Sequence, residues 1–202
     1  MKEQKDYFAH KSKSWDMNSR RVKNAQSIAG LILKNIPISK NMKLMDLGAG
    51  TGLLSFFIAP YVSKVVAVDN SPSMLAEFEA KSVDFESQTD TILTNIMKYD
   101  IKNEYDLIVS SMTIHHIEDI PALFAKLYEL LKDGGYIAIA DLDSEDGTFH
   151  SEDTGVCHHG FDRDWIVDVA KKAGFKDVKI ETASVISKPH RDFEVFLLTA
   201  KK

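Results

Sequence analysis

Residues 44–52 read LMDLGAGTG. An apolar run meets a carboxylate, Asp46, and then glycine at alternate positions: Gly48, Gly50 and Gly52, with Ala49 and Thr51 between them. Glycine removes the side chain, so a ligand can lie directly on backbone. Placed just after a buried strand, this stretch describes a backbone-lined binding turn beside a fixed negative charge. A second carboxylate, Asp69, closes the next apolar run, KVVAVD. A tight turn with no ligand would account for one glycine, but three of them followed by a strand ending in aspartate argue for a site.

The spacing separates two ligand classes. Dinucleotide loops follow G-x-G-x-x-G; counted from Gly48, the third glycine would fall on Leu53. The pattern is G-x-G-x-G instead. A carboxylate at Asp46 would repel a pyrophosphate. It would welcome S-adenosylmethionine, which carries a cationic ammonium and a cationic sulfonium. Asp69, at the end of the second strand, can accept hydrogen bonds from both ribose hydroxyls of either cofactor class.

Two further groups of residues could do chemistry. His115 and His116 follow the apolar stretch YDLIVSSM, and either could orient or deprotonate a substrate. His116 is the first choice; capping the next helix is the alternative role. The second group lies in residues 141–161, DLDSEDGTFHSEDTGVCHHGF, with Asp141, Asp143, His150, Cys157, His158 and His159. Its spacing is not that of a structural zinc site, and no metal is expected. Substrate contact is expected from His150 or His159, with His150 the candidate for catalysis. A covalent nucleophilic role for Cys157 is not expected.

These residues have to be positioned by alternating strands and helices. Ala25, Ile28, Ala29, Ile32, Leu33 and Ile36 recur at helical spacing before Pro37. MKLMDL reads as strand one, LLSFFIAPYV as a helix and KVVAVD as strand two. SPSMLAEFEAKSV opens with Ser71 as N-cap and Pro72 at the first helical position. TILTNI, YDLIVSSM and YIAIADL follow as strands, IPALFAKLYELLK and FDRDWIVDVAKKAGF as helices. DVKIETASVIS and FEVFLLTAK lack an intervening helix, so the last pair is antiparallel. Phe56, Phe57, Phe124 and Phe196 stand at core-like spacings. The fold expected is an α/β doubly wound, Rossmann-like sheet of seven strands, mostly parallel with an antiparallel last strand, with helices on both faces.

Bulk properties exclude several classes. With 202 residues and no linker or repeat, a single domain over 1–202 is the simplest organisation. A net charge of -5 and no basic stripe disfavour nucleic acid as a partner. No window is apolar enough for a membrane span. The opening MKEQKDYFAHKSKSWD lacks the apolar core of a signal peptide, and with a lone cysteine the chain is expected in the cytoplasm.

Over nearly its whole length the chain resembles class I S-adenosylmethionine-dependent methyltransferases, and is similar to the small-molecule ubiquinone/menaquinone type. DLGAGTG resembles that family's first motif and VVAVDNSPSML its second. The resemblance implies a cofactor site from Asp46, Gly48, Ala49, Gly50, Thr51 and Gly52, with Asp69 on the ribose, Asn70 beside it and Met74 near the adenine. It implies that TNIMKYD reads the adenine edge through Asn95 and Ile96, where many relatives carry an acidic residue. YDLIVSSMTIHHIED resembles the fourth motif, placing Ser110 at the methionine end of the cofactor. YFAHKSKSWD is similar to an N-terminal lid, drawn here as residues 1–36, with Tyr7 and Trp15 as lid contacts; residues 141–161 would form the substrate-side loop. The implied activity is methyl transfer to a small-molecule acceptor, with S-adenosylhomocysteine as product. The residues leave open a regulatory protein that binds the cofactor without turnover, and a methyltransferase acting on protein or nucleic acid. A dinucleotide oxidoreductase is opposed by Leu53 and Asp46.

Overall fold

The computed structural model describes residues 6–99, 104–150 and 155–202. Its seven strands are β1 (Lys43–Leu47), β2 (Lys64–Asp69), β3 (Gln88–Leu93), β4 (Tyr105–Ser111), β5 (Leu131–Leu142), β6 (Lys176–Lys188) and β7 (Arg191–Lys201). They form one sheet in the order β3-β2-β1-β4-β5-β7-β6. β3, β2, β1, β4 and β5 run parallel, while β7 is antiparallel to both β5 and β6. The expected architecture is the observed one.

Strand alternation explains why both faces are covered. Along β5, Ile137 and Ile139 enter one apolar layer while Ala138 and Ala140 enter the other. The first layer packs under α4 (Ile120–Leu130) and α5 (Arg163–Lys172), through Leu123, Phe124, Leu127 and Ile166. The second packs under α1 (Ser19–Asn35), α2 (Leu53–Ile58) and α3 (Pro72–Ser82), through Ile28, Ile32, Leu54, Ile58 and Phe78. Each fully buried Leu, Ile or Phe contributes about 1.5–3 kcal/mol. The helices start where side chains satisfy their first N–H groups. Ser71 accepts from Met74 N at 3.2 Å, Asp119 from Ala122 N at 2.9 Å and Asp162 from Trp165 N at 2.8 Å.

Four expectations need correction. The expected lid over 1–36 divides in two: α1 is part of the body, with Ala25, Ile28, Ala29 and Ile32 buried. Only the segment from residue 6 to Asn18 crosses the strand ends, and residues 1–5 lie outside the described set. The third strand runs Gln88–Leu93, earlier than TILTNI, and Asn95 and Ile96 fall in a 3₁₀ turn beyond it. α2 stops at Ile58 and gives way to a 3₁₀ turn containing Pro60. Phe56 is 44% exposed, in edge contact with Phe57 and Phe85, whereas Phe124 and Phe196 are buried as expected. Among the described residues, no helix is long and apolar enough to cross a membrane.

Candidate active site

β1 lies where the strand order turns back, with β2 on one side and β4 on the other. In such sheets ligands bind beyond the strand carboxyl ends at this point. A cavity of about 930 Å³ opens there, at the large end of the small-molecule range. The glycine turn forms its floor. Gly48 has φ +66°, and a Cβ on it would stand 2.1 Å from Thr113 Cγ2. Gly50 has φ +55° but nothing within 4 Å of a built Cβ, so it faces open cavity. The first glycine therefore serves close packing against the turn after β4, and the second serves access to backbone.

Two carboxylates flank this turn. Asp69 Oδ2 accepts from Gly50 N at 2.8 Å, and its Oδ1 accepts from Ser71 N at 2.9 Å. Burial raises the Asp69 pKa, against those bonds. Asp46 is 1% exposed and accepts from Ser55 Oγ at 2.6 Å. Burial, reinforced by the Asp69 charge, pushes Asp46 up to about 7. A carboxyl held at that point favours a cation arriving beside it. Asn70, Met74, Asn95 and Ile96 line the same end of the cavity. Asn95 Oδ1 is engaged by Met97 N at 2.9 Å, and its amide group remains as a donor.

The segment before α1 crosses this end and is fastened by its own acids. Asp6 accepts from Ser71 Oγ at 2.8 Å and Ser73 N at 3.2 Å, at the start of α3. Asp16 accepts from Thr51 Oγ1 at 2.6 Å and pairs with Lys81. Trp15 packs edge-on to Phe8 at 5.8 Å and beneath the Arg21 guanidinium at 3.6 Å; Phe8 reaches His116 at 5.9 Å. Tyr7 and Trp15 both line the cavity.

The opposite end is built from imidazoles. His115 Nδ1 lies 2.7 Å from Asp141 Oδ1, with both residues buried. Burial alone would raise the Asp141 carboxyl, but the His115 ring and two backbone N–H donors hold it below its ordinary value. The His116 ring is 4.3 Å from that of His115, and the His150 ring is 4.9 Å from it. Burial and then His115 lower His116, and the same causes bring His150 down to about 4. His150 is therefore neutral at physiological pH, and His116 is pushed the same way. His116 Nδ1 donates to Gly155 O at 3.1 Å, and His150 Nε2 is buried without a partner among the described residues.

A model of a methyltransferase domain matches residues 20–180. The chain belongs to the methyltransferase domain family. This methyltransferase domain is 30% identical to an uncharacterised methyltransferase of Schizosaccharomyces pombe, over 73% of this chain and 56% of that protein. It is 32% identical to phosphoethanolamine N-methyltransferase 1 of Triticum aestivum, over 72% of this chain and 30% of that one. The chain thus spans just over half and under a third of these two relatives. Its fold superposes with a TM-score of 0.72 on Haemonchus contortus phosphoethanolamine N-methyltransferase 2 in complex with phosphomonomethylethanolamine and S-adenosylhomocysteine, at 20% identity, covering 88% of this chain and 52% of that one.

Within the methyltransferase domain the expected site residues do not all reach the cavity. Asp46, Gly48, Ala49, Gly50, Thr51, Asp69, Asn70, Met74, Asn95, Ile96, Tyr7, Trp15, His116 and His150 line it. Ser110 does not: it points into the sheet and donates from Oγ to Leu47 O at 2.8 Å, leaving Ser111 at the wall. Gly52 is also set back, as the N-cap of α2. In the 141–161 loop, of which 151–154 lie outside the described residues, His150 alone of the three described histidines faces the cavity. His158 donates to Ile117 O and Glu118 O, and His159 is 62% exposed beside Glu145. Asp143 is held by Arg163 at 2.8 and 2.6 Å. The pairing of His115 with Asp141 leaves little trace in the sequence, only two polar residues near the ends of neighbouring strands.

Proposed function

We propose that residues 1–202 form one methyltransferase domain that binds S-adenosylmethionine and transfers its methyl group to a small-molecule acceptor. The observation that carries this reading is the pairing of Asp69 with Gly50 N beside the buried Asp46. Asp69 keeps lone pairs for ribose hydroxyls after its two backbone bonds. Asp46 offers a charge to a cation, and the bare face of Gly50 admits a ligand to van der Waals contact. When bound, the cosubstrate would supply an activated methyl on a sulfonium. The protein's part is to orient the acceptor and exclude water, and orientation alone is worth effective molarities of about 10⁵–10⁸ M. The strap from Asp6 to Asn18 would roof the cofactor, and His116 and His150 would face the acceptor. The relatives' named phosphoethanolamine substrates support a small polar acceptor. The cytoplasm, with its reducing conditions, suits the exposed lone Cys157.

Thermal unfolding with millimolar S-adenosylmethionine, S-adenosylhomocysteine or NAD tests the reading. A ligand at ~100 times its Kd adds about 2.7 kcal/mol, or roughly 5–10 °C for a chain of this size. The two methionine-derived ligands are expected to raise the midpoint, and Asp69→Ala to abolish the rise. A rise with NAD alone would overturn the proposal.

A further inference from the structure

We propose that His115, held by Asp141, is the general base that takes the acceptor's proton during methyl transfer; this rests on the methyltransferase reading above. The two residues come from the ends of adjacent parallel strands, β4 and β5. Met112, a non-glycine residue at φ 56°, donates its N–H to Ala140 O at 2.9 Å and fastens the turn after β4 to β5. That turn delivers His115 onto Asp141, whose Oδ2 also accepts from His115 N at 3.3 Å and whose Oδ1 accepts from Leu142 N at 2.8 Å. The His115 carbonyl accepts from Cys157 N at 2.9 Å and His158 N at 3.1 Å, so the residue is clamped from both sides.

An ionised Asp141 has no proton to donate. The 2.7 Å contact therefore places a hydrogen on His115 Nδ1, and in the neutral ring that leaves Nε2 as the proton acceptor. His115 lies in the cavity wall. The titratable groups that face it are His116 on its own turn and His150 from the loop after β5, both pushed toward the neutral form by burial, with Lys188 of β6 acting on His150. In the step itself, the acceptor's O–H, N–H or S–H bond breaks and the proton passes to Nε2. The heteroatom's electron pair forms the bond to the methyl carbon, and the sulfur keeps the pair of the broken S–C bond as a neutral thioether. The resulting imidazolium is stabilised by Asp141 and returns its proton to water. His115 would be a catalytic residue, and Asp141 a positioning residue acting through it.

Two measurements test this. Imidazole nitrogen NMR of isotope-labelled protein saturated with S-adenosylhomocysteine reads the tautomer without turnover. His115 is expected to be protonated at Nδ1 and bare at Nε2, and Asp141→Asn to reverse that. A wild-type His115 protonated at Nε2 overturns the proposal. The second measurement uses S-adenosylmethionine with phenols and thiols of graded acidity. For acceptors still protonated at the assay pH, His115→Gln is expected to lower kcat about 10²–10⁴-fold with little change in KM. For acceptors already ionised, the loss should vanish. An equal loss across the panel, or no loss, overturns the proposal. The midpoint rise with S-adenosylmethionine should persist in His115→Gln; its absence from wild type and variant alike would mean that the methyltransferase reading itself had failed.

Discussion

Cofactor binding is expected to depend on the proton of Asp46. In the folded protein without ligand, that carboxyl sits at about 7 rather than 3.8, through burial first and the Asp69 charge second. A cationic ammonium placed beside it would drive it to the ionised form. At pH 6 only about a tenth of the protein carries the charge beforehand, so Kd for S-adenosylmethionine is expected to be roughly tenfold weaker than at pH 8, about 1.4 kcal/mol. Calorimetry in two buffers of different ionisation enthalpy reads the accompanying proton release. The same shift has a stability signature of known sign. Between about 4 and 7 the folded state holds more protons than the unfolded chain, so stability falls as pH rises through this window and stays lowered above it. The displacement from 3.8 to about 7 corresponds to about 4 kcal/mol. Asp46→Asn keeps an acceptor for Ser55 and removes the charge. The variant is expected to gain several kcal/mol over wild type at pH 8, with the gain vanishing near pH 4, and to lose the pH dependence of binding. Parallel stability curves for the two proteins from pH 4 to 8, or a Kd in wild type that does not move between pH 6 and 8, would refute the reasoning.

Two other perturbations probe the frame of the site. Gly48→Ala combines a strained φ of +66° with a Cβ 2.1 Å from Thr113, and should cost more than about 1 kcal/mol in chemical denaturation; Thr113→Ser should recover part of the loss by removing the Cγ2 atom. Asp16→Ala removes the strap's bond to Thr51 and its pairing with Lys81, so cofactor dissociation measured by stopped flow should quicken while global stability changes by less than about 1 kcal/mol.

Much of this was legible in the sequence because it depends on local pattern. Apolar and β-branched runs and helical spacing announced the seven strands and five α-helices of the described residues, and Ser71 with Pro72 marked the start of α3. The glycine turn was legible because its glycines stand together. The features that escaped are those made by neighbours across the sheet. The resemblance implies Ser110 as a site residue, yet the pleat turns its hydroxyl onto Leu47 O. His115 and Asp141 are 26 residues apart and meet only because β4 and β5 are adjacent. The role of α1 was misread for a related reason: its apolar stripe is compatible with a lid or a packed helix, and its burial against the second core layer decides for the latter.

The bonds from Asp69 to Gly50 N and Ser71 N are made by the protein alone. They fix the loop and the start of α3 when the chain folds, so the conformational entropy of the binding turn is lost then and not on ligand arrival. Association at the glycine side needs no ordering step, and its rate should follow encounter. Any slow phase in binding then belongs to the strap, whose fastenings at Asp6 and Asp16 must part to admit a ligand and re-form over it.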